Sequence, residues 1–227
     1  MNTLDLQAVG LRQVNSTLQG LVEGSNETDW AITNPMGQHA IACGLNRSMS
    51  VDIQGHVGFY CGGMNKEAEV TVHGHAGVGV GENMMSGTIR VKGNASQSAG
   101  ATAHGGLLVI EGDASSRCGI SMKGCDIVVG GSVGHMSAFM AQAGNLVVCG
   151  DAGDALGDSI YEAKLFVAGS VESLGSDCIE KNMTPEHLAT LTELLQRAGM
   201  DKDPKSFKRY GSARQLYHFD IDKASAY

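Results

Sequence analysis

Apolar and polar positions alternate in short bursts along the chain, and the bursts return every 19 residues. Ile53, Val72, Val91, Ile110, Val129, Val148 and Val167 form one column, and Val51, Val70, Ile89, Leu108, Ile127, Leu146 and Leu165 form a second, two residues earlier. A glycine stands two residues after the first column every time: Gly55, Gly74, Gly93, Gly112, Gly131, Gly150 and Gly169. Val57, Ala76, Ala95, Ala114, Val133, Ala152 and Val171 lie two residues beyond these glycines. Glycine or a substitute returns three residues after the anchor and again seven after, as Gly62, Gly81, Gly100, Gly119, Ala138, Gly157 and Ser176. The unit is apolar-x-apolar-x-Gly-x-small-Gly-x-x-x-Gly, seven times over.

Alternation over four residues is the signature of one strand face, and β-branched residues suit it. Each column holds one residue type because equivalent positions stack on the next unit. A strand lying beside its own copy one unit later runs parallel to it, about 4.8 Å away. The pattern therefore predicts an all-β fold, a parallel β-helix of about seven 19-residue coils. A left-handed hexapeptide helix needs a coil length divisible by six, which 19 is not, and parallel crossovers are right-handed. The right-handed form is expected. The glycines are expected where the backbone bends, with φ > 0 or too little room for a Cβ. Gly44, with Ile41 and Leu45 around it, predicts a further half coil before the first.

The ends depart from the repeat. Leu11, Val14, Leu18, Leu21 and Val22 have helical spacing and predict an amphipathic helix capping the open end of the solenoid. Thr184–Pro185–Glu186 marks a helix start and Gly199 its end, with Leu188, Leu191, Leu194, Leu195 and Ala198 as the apolar face. These signals divide the sequence into a capping segment, 1–35, the coils, 36–176, and a C-terminal helix with an extended tail, 177–227. The tail interleaves basic residues with Phe207, Tyr210, Tyr217 and Phe219. Aromatics and arginine are what interface cores favour, so Phe207, Arg209, Tyr210, Arg214 and Tyr217 are candidate partner-binding residues. The alternative is that the tail folds back as a cap.

Composition sharpens this picture in three places. Glycine accounts for 32 of 227 residues, about twice the usual ~7%, while proline accounts for only 3, which excludes collagen. A net charge of −8 argues against a nucleic-acid or anionic-membrane partner. No apolar run approaches the roughly 20 residues of a membrane helix, and Met1–Gly10 does not read as a secretory signal. The six cysteines have no zinc or cluster spacing, so they are expected as reduced thiols in a cytoplasmic protein.

Candidate chemistry is sparse. His56 and His75 share the column after the anchor glycine, but it continues as Asn94, Asp113, Ser132 and Asp151, an outward polar ladder rather than a metal site. Asp151, Asp154 and Asp158 are spread around one coil and read as a solvated acidic edge. Cys61 and Cys118 share a column with Val80 and Leu156 and read as small core residues. The glycines at Gly77–Gly81 are not followed by a helical pattern, so a phosphate loop fails on context. The Met84–Met85 and Met136–Met140 pairs suggest surfaces facing a partner. No nucleophile, base and oxyanion donor come together, and no catalytic, cofactor-binding or metal-binding residue is assigned.

The stretches Gly55–Met64, Gly77–Gly87, Val91–Asp113, Gly131–Ala141 and Arg209–His218 resemble the GXGXG β-helix family, typified by the C-terminal domain of the large glutamate synthase polypeptide. Within that family they are most similar to the β-helix component of N-methylglutamate synthase (methylamine–glutamate N-methyltransferase). The resemblance implies a structural subunit that bridges a class II glutamine amidotransferase-like subunit and a flavin-binding glutamate-synthase-like subunit. FMN and an iron–sulfur cluster are implied on that second partner, with no cofactor on this polypeptide. The implied reaction forms N-methylglutamate from glutamate and methylamine, releasing ammonia. Related readings are the equivalent subunit of another glutamate synthase relative or of formylmethanofuran dehydrogenase. Outside the family, the rival is a self-sufficient β-helix lyase.

Overall fold

The computed structural model describes residues 1–20 and 27–216. It is a parallel β-solenoid flanked by two helices. Strands β3 (Ser50–Ile53), β4 (Glu69–Val72), β5 (Thr88–Val91), β6 (Leu107–Ile110), β7 (Lys123–Val129), β8 (Ala143–Val148) and β9 (Lys164–Val167) stack in sequence order. Their register keeps the 19-residue step throughout: Val51 faces Val70, Val70 faces Ile89, and the column continues to Leu146 facing Leu165. A second parallel ladder of single bridges runs through Val57, Ala76, Ala95, Ala114, Val133, Ala152 and Val171. The residues of the two strand columns fill the lumen, where Val51, Ile53, Ile89, Ile110 and Ile127 have no exposed surface.

The ladder begins well before residue 36. β2 (Asp29–Thr33) pairs with β3, Trp30 facing Val51 and Ile32 facing Ile53, so a longer coil of 21-residue step precedes the regular ones. β1 (Asn2–Asp5) pairs with β2 in turn. Helix α1 (Leu6–Gln19) then closes the lumen with Leu6, Val14 and Leu18, while Leu21 and Val22 lie outside the described residues. Gly10, at φ 78°, bends this helix. Plugging an open coil also requires partners for its backbone. The Ala42 N–H donates to Asn15 Oδ1 (2.9 Å), and Asn15 Nδ2 donates to the Ala40 carbonyl (2.8 Å). Gln19 Nε2 donates to the Cys43 carbonyl (2.6 Å). Asn15→Ala leaves two of these backbone groups unpaired, and a loss of about 2 kcal/mol is expected in urea unfolding. An unchanged midpoint would mean that water replaces the amide.

Glycine serves two distinct purposes. The column seven residues beyond the anchor is left-handed: Gly62, Gly81, Gly100, Gly119 and Gly157 have φ of 65–71°, and Ala138 holds the same conformation at 57°. The positions two before and two after are left-handed as well, as in Gly79 and Asn83 around Gly81. Alternating conformation alternates the peptides. Gly81 N–H donates back to Cys61, whereas those of Gly79 and Asn83 donate forward to Gln97 and Ala101, all at 2.9 Å. The turn thus stays hydrogen-bonded to both neighbouring coils without forming a strand.

The anchor glycines are needed for space. Apart from Gly55, none has positive φ. A Cβ on Gly112 would overlap Asn94 Oδ1, and one on Gly150 would sit 2.6 Å from Ser132 Oγ and 2.8 Å from the Gly131 carbonyl carbon.

The outer face of the sheet changes character along the solenoid. The position between the two lumen columns reads Asp52, Thr71, Arg90, then Val109, Val128, Val147 and Phe166. Helix α2 (Pro185–Ala198) lies over the apolar half, burying Leu191, Leu194, Leu195 and Ala198 against Val109, Val128, Val147 and Phe166. Its 14 residues span about 20 Å at 1.5 Å each, and the four steps from β9 to β5 span about 19 Å. Arg90 marks where the cover stops, donating to the Ala198 carbonyl (3.0 Å) and to Glu111 (2.9 Å). Thr184 caps the start of α2, with Pro185 in its first turn, and Gly199 ends it at φ 70°.

Candidate functional site

The polar column after the anchor glycines, a metal candidate on residue types alone, is a hydrogen-bond ladder. The anchor N–H bonds the preceding anchor carbonyl, as Gly93 does to Gly74 (3.0 Å) and Gly131 to Gly112 (2.9 Å). The next N–H takes its acceptor from a side chain one coil back. His75 N–H donates to His56 Nδ1, Asn94 N–H to His75 Nδ1 and Asp113 N–H to Asn94 Oδ1, all at 2.9 Å. The ladder continues through Ser132 and Asp151 to Ser170, at 2.7–2.9 Å. Every residue in it offers an acceptor one or two bonds beyond Cβ, which is the common property of His, Asn, Asp and Ser here. The imidazoles of His56 and His75 stack 4.9 Å apart at an interplanar angle of 6°, with both Nδ1 atoms already engaged. Stacked parallel rings do not converge on a tetrahedral ion. The same acceptors occupy the space that an anchor Cβ would need, so the glycine column and the polar column are one device.

The three aspartates serve the coils in the same way. Asp151 accepts from the Ser170 N–H and hydroxyl, which hold its carboxyl below the usual range. Asp154 accepts from the Ser173 hydroxyl and faces His135 at 3.5 Å, and Asp158 accepts from the Ser159 hydroxyl (2.7 Å) and the Ser176 N–H (3.1 Å). Each points to its own neighbour. Among the described residues no three His, Cys, Asp or Glu side chains group around a common centre that would hold a metal.

All six cysteines are buried and unpaired. Burial pushes the Cys118, Cys125 and Cys178 thiols up to about 12, and those of Cys43, Cys61 and Cys149 upward as well. A thiol held protonated is a poor metal or cluster ligand and a poor nucleophile. Of the methionine pairs, Met84 is buried and Met85 exposed, while Met136 and Met140 are half-buried. Met36, Phe59, Met64 and Met85 are the large apolar side chains left open to solvent on the first coils. His39 stacks on Phe59 at 4.5 Å, fixing the ring there.

The tail requires a correction. Residues 208–212 are not a free arm: β11 (Lys208–Ser212) inserts antiparallel between β9 and β10 (Cys178–Lys181), giving the strand order β9-β11-β10. Phe207 is buried with Phe166 and Leu194 beneath α2, and Tyr210 joins the lumen core. Arg209 donates from Nε to the Asn182 carbonyl (3.0 Å), and Arg214 pairs with Glu162 (2.8 Å). Tyr217 lies outside the described residues. The physical reason is the open last coil, whose β9 edge and apolar end need covering. Five candidates from one segment are thus divided between core, rim and an undescribed end.

No family model matches the sequence. It is, however, 61% identical over 228 residues to "Protein GlxC" of Rhizobium meliloti (strain 1021), covering the whole of both chains. The chain belongs to the GlxC family. The matched length spans the entire solenoid and both helices of this GlxC-family protein. No helix among the described residues is long and apolar enough to cross a membrane.

Proposed function

We propose that this protein is the non-catalytic β-helix subunit of a glutamate-synthase-like complex, and specifically of an N-methylglutamate synthase. The reading rests on the seven-fold GXGXG unit, whose polar column from His56 to Asp151 accepts backbone hydrogen bonds from the next coil. A surface so used can hold other subunits apart and in register. The amidotransferase-like subunit and the flavin-binding synthase-like subunit are the partners, and FMN and the iron–sulfur cluster reside on the latter. The exposed apolar side chains of the first coils, Phe59 and Met64 among them, supply a docking face of the kind that partner interfaces use. The complex condenses methylamine with glutamate.

Co-expression of the protein with the amidotransferase-like and flavin-barrel subunits is the test. The expected result is a co-purifying assembly that forms N-methylglutamate and loses that activity when the β-helix protein is omitted. Phe59→Glu with Met64→Glu should weaken assembly by at least about tenfold while leaving the melting temperature of the isolated protein nearly unchanged. Activity of the isolated protein, or a fully active pair of partners without it, would overturn the scaffold role.

A further inference from the structure

We propose that the cleft between β9, β10, β11 and the first turn of α2 binds a small oxyanion, a carboxylate or phosphate group carried by a metabolite. This inference does not rest on the complex proposed above. The cleft has a volume of about 280 Å³, close to the lower end of ligand-pocket sizes, about 300–1,000 Å³. Its wall carries Lys164, Lys181, Arg209 and Arg214 against a single acid, Glu162. That concentration of positive charge stands on a protein of net charge −8.

The strand register forces these charges together. Lys181 and Arg209 are directly opposed across the β10–β11 pair, an arrangement of like charges that disfavours pairing unless something neutralises it. Arg209 also faces Phe166 across β9, so it lies on the outer face, where Lys164, two residues before Phe166, joins it. Glu162 is already engaged by Arg214 at 2.8 Å, leaving no carboxylate of the cleft wall for the other three. Lys181 spends one donor on the Ser212 carbonyl (2.7 Å) and Arg209 spends Nε on the Asn182 carbonyl (3.0 Å), which leaves the guanidinium Nη donors unassigned among the described residues. The Lys164 ammonium has no ion-pair or hydrogen-bond partner among the described residues. The positive end of the α2 dipole adds to the same field.

His187 reports this environment from the first turn of α2. Its Nδ1 is held by the Thr184 hydroxyl at 2.7 Å. Burial first, then Arg209 and Lys164, lower its affinity for a proton. An anion seated among the three cations would reverse the latter effect. A planar guanidinium beside two ammonium groups matches carboxylate and phosphate oxygens in charge and geometry.

The experiment is calorimetric titration of the full-length protein with sodium phosphate and, separately, trisodium citrate, against sodium chloride at matched ionic strength. One saturable site per molecule is expected for at least one of the two anions. Their relative affinity identifies the headgroup as phosphate or polycarboxylate. Lys164→Gln should weaken binding by at least about fivefold with no change in melting temperature, because the Lys164 side chain bonds nothing among the described residues. Arg209→Gln should weaken it further, and phosphate should raise the pH at which the His187 ring titrates in an NMR series. The proposal is overturned by the absence of saturable binding at about 10 mM of either anion. Equal affinity in the wild-type and Lys164→Gln proteins would overturn it too.

Discussion

Deleting residues 201–227 is expected to destabilise the isolated protein by more than about 5 kcal/mol, lowering its melting temperature by about 10 °C or more. The deletion removes β11, which lies between β9 and β10 and bonds to both. β10 then has no neighbour in the sheet, and the β9 edge is exposed. Phe207 leaves the layer beneath α2, and truncating one buried phenylalanine costs about 3–5 kcal/mol by itself. Tyr210 leaves the end of the lumen. Thermal melting followed by circular dichroism decides the matter. A melting temperature within about 2 °C of the full-length protein would mean that β11 is not part of the sheet. This outcome is the reverse of what a free anchoring arm implies, since an arm could be removed without touching the solenoid. Loss of assembly in the truncated protein would therefore say nothing about partner binding, which has to be tested through surface changes such as Phe59→Glu.

Gly112→Val is expected to cost about 3 kcal/mol, against a few tenths for Lys123→Val. At Gly112 the backbone conformation is ordinary, so the penalty arises from crowding rather than from φ. A Cβ there overlaps Asn94 Oδ1 and approaches the Gly93 carbonyl oxygen to 3.0 Å. Valine must therefore displace the acceptor that holds the Asp113 N–H, and one substitution strains the packing and breaks a ladder bond together. Lys123 is exposed, and its bond to the sheet is through the main chain, so its side chain is dispensable. Urea unfolding of the two variants compares them directly. Equal midpoints would show that neighbouring coils can separate at the anchor at no cost. Asn94→Ala in the Gly112→Val background separates the two contributions. If displacement of Asn94 is the main penalty, the double variant should lose little beyond the single one.

The tail shows why one part of the molecule was legible and another was not. A repeat makes its tertiary contacts with a copy of itself one coil away, so the 19-residue period is simultaneously a sequence pattern and a contact map. The lumen columns could be read for that reason, whereas Val14 and Leu18 of α1, the buried face of α2 and its Thr184 and Gly199 caps were read from helical spacing and cap chemistry. The docking of β11 obeys no period: its partners lie about 30 and 40 residues away, with α2 intervening. The interleaved aromatic and basic residues of 207–214 suit an interface equally well whether the surface they meet belongs to a partner or to their own polypeptide.

Other signals were present but carried no meaning in isolation. The outward column changes from Asp52, Thr71 and Arg90 to Val109, Val128, Val147 and Phe166, which marks the coils that α2 covers. The column from His56 to Asp151 shares only an acceptor near Cβ, a property that becomes visible once the neighbouring N–H is seen to lack a carbonyl. The amino-acid sequence by itself determined the solenoid, its pitch and its lumen, because each follows from local alternation repeated at a constant step, and it marked the C-terminal helix through its caps and its apolar spacing. Only the tertiary structure decided the fate of the tail, the purpose of the polar ladder and the gathering of Lys164, Lys181 and Arg209. Those depend on which strand edge a segment far along the sequence finds unpaired, and the energy of that choice resides in contacts that no periodicity encodes.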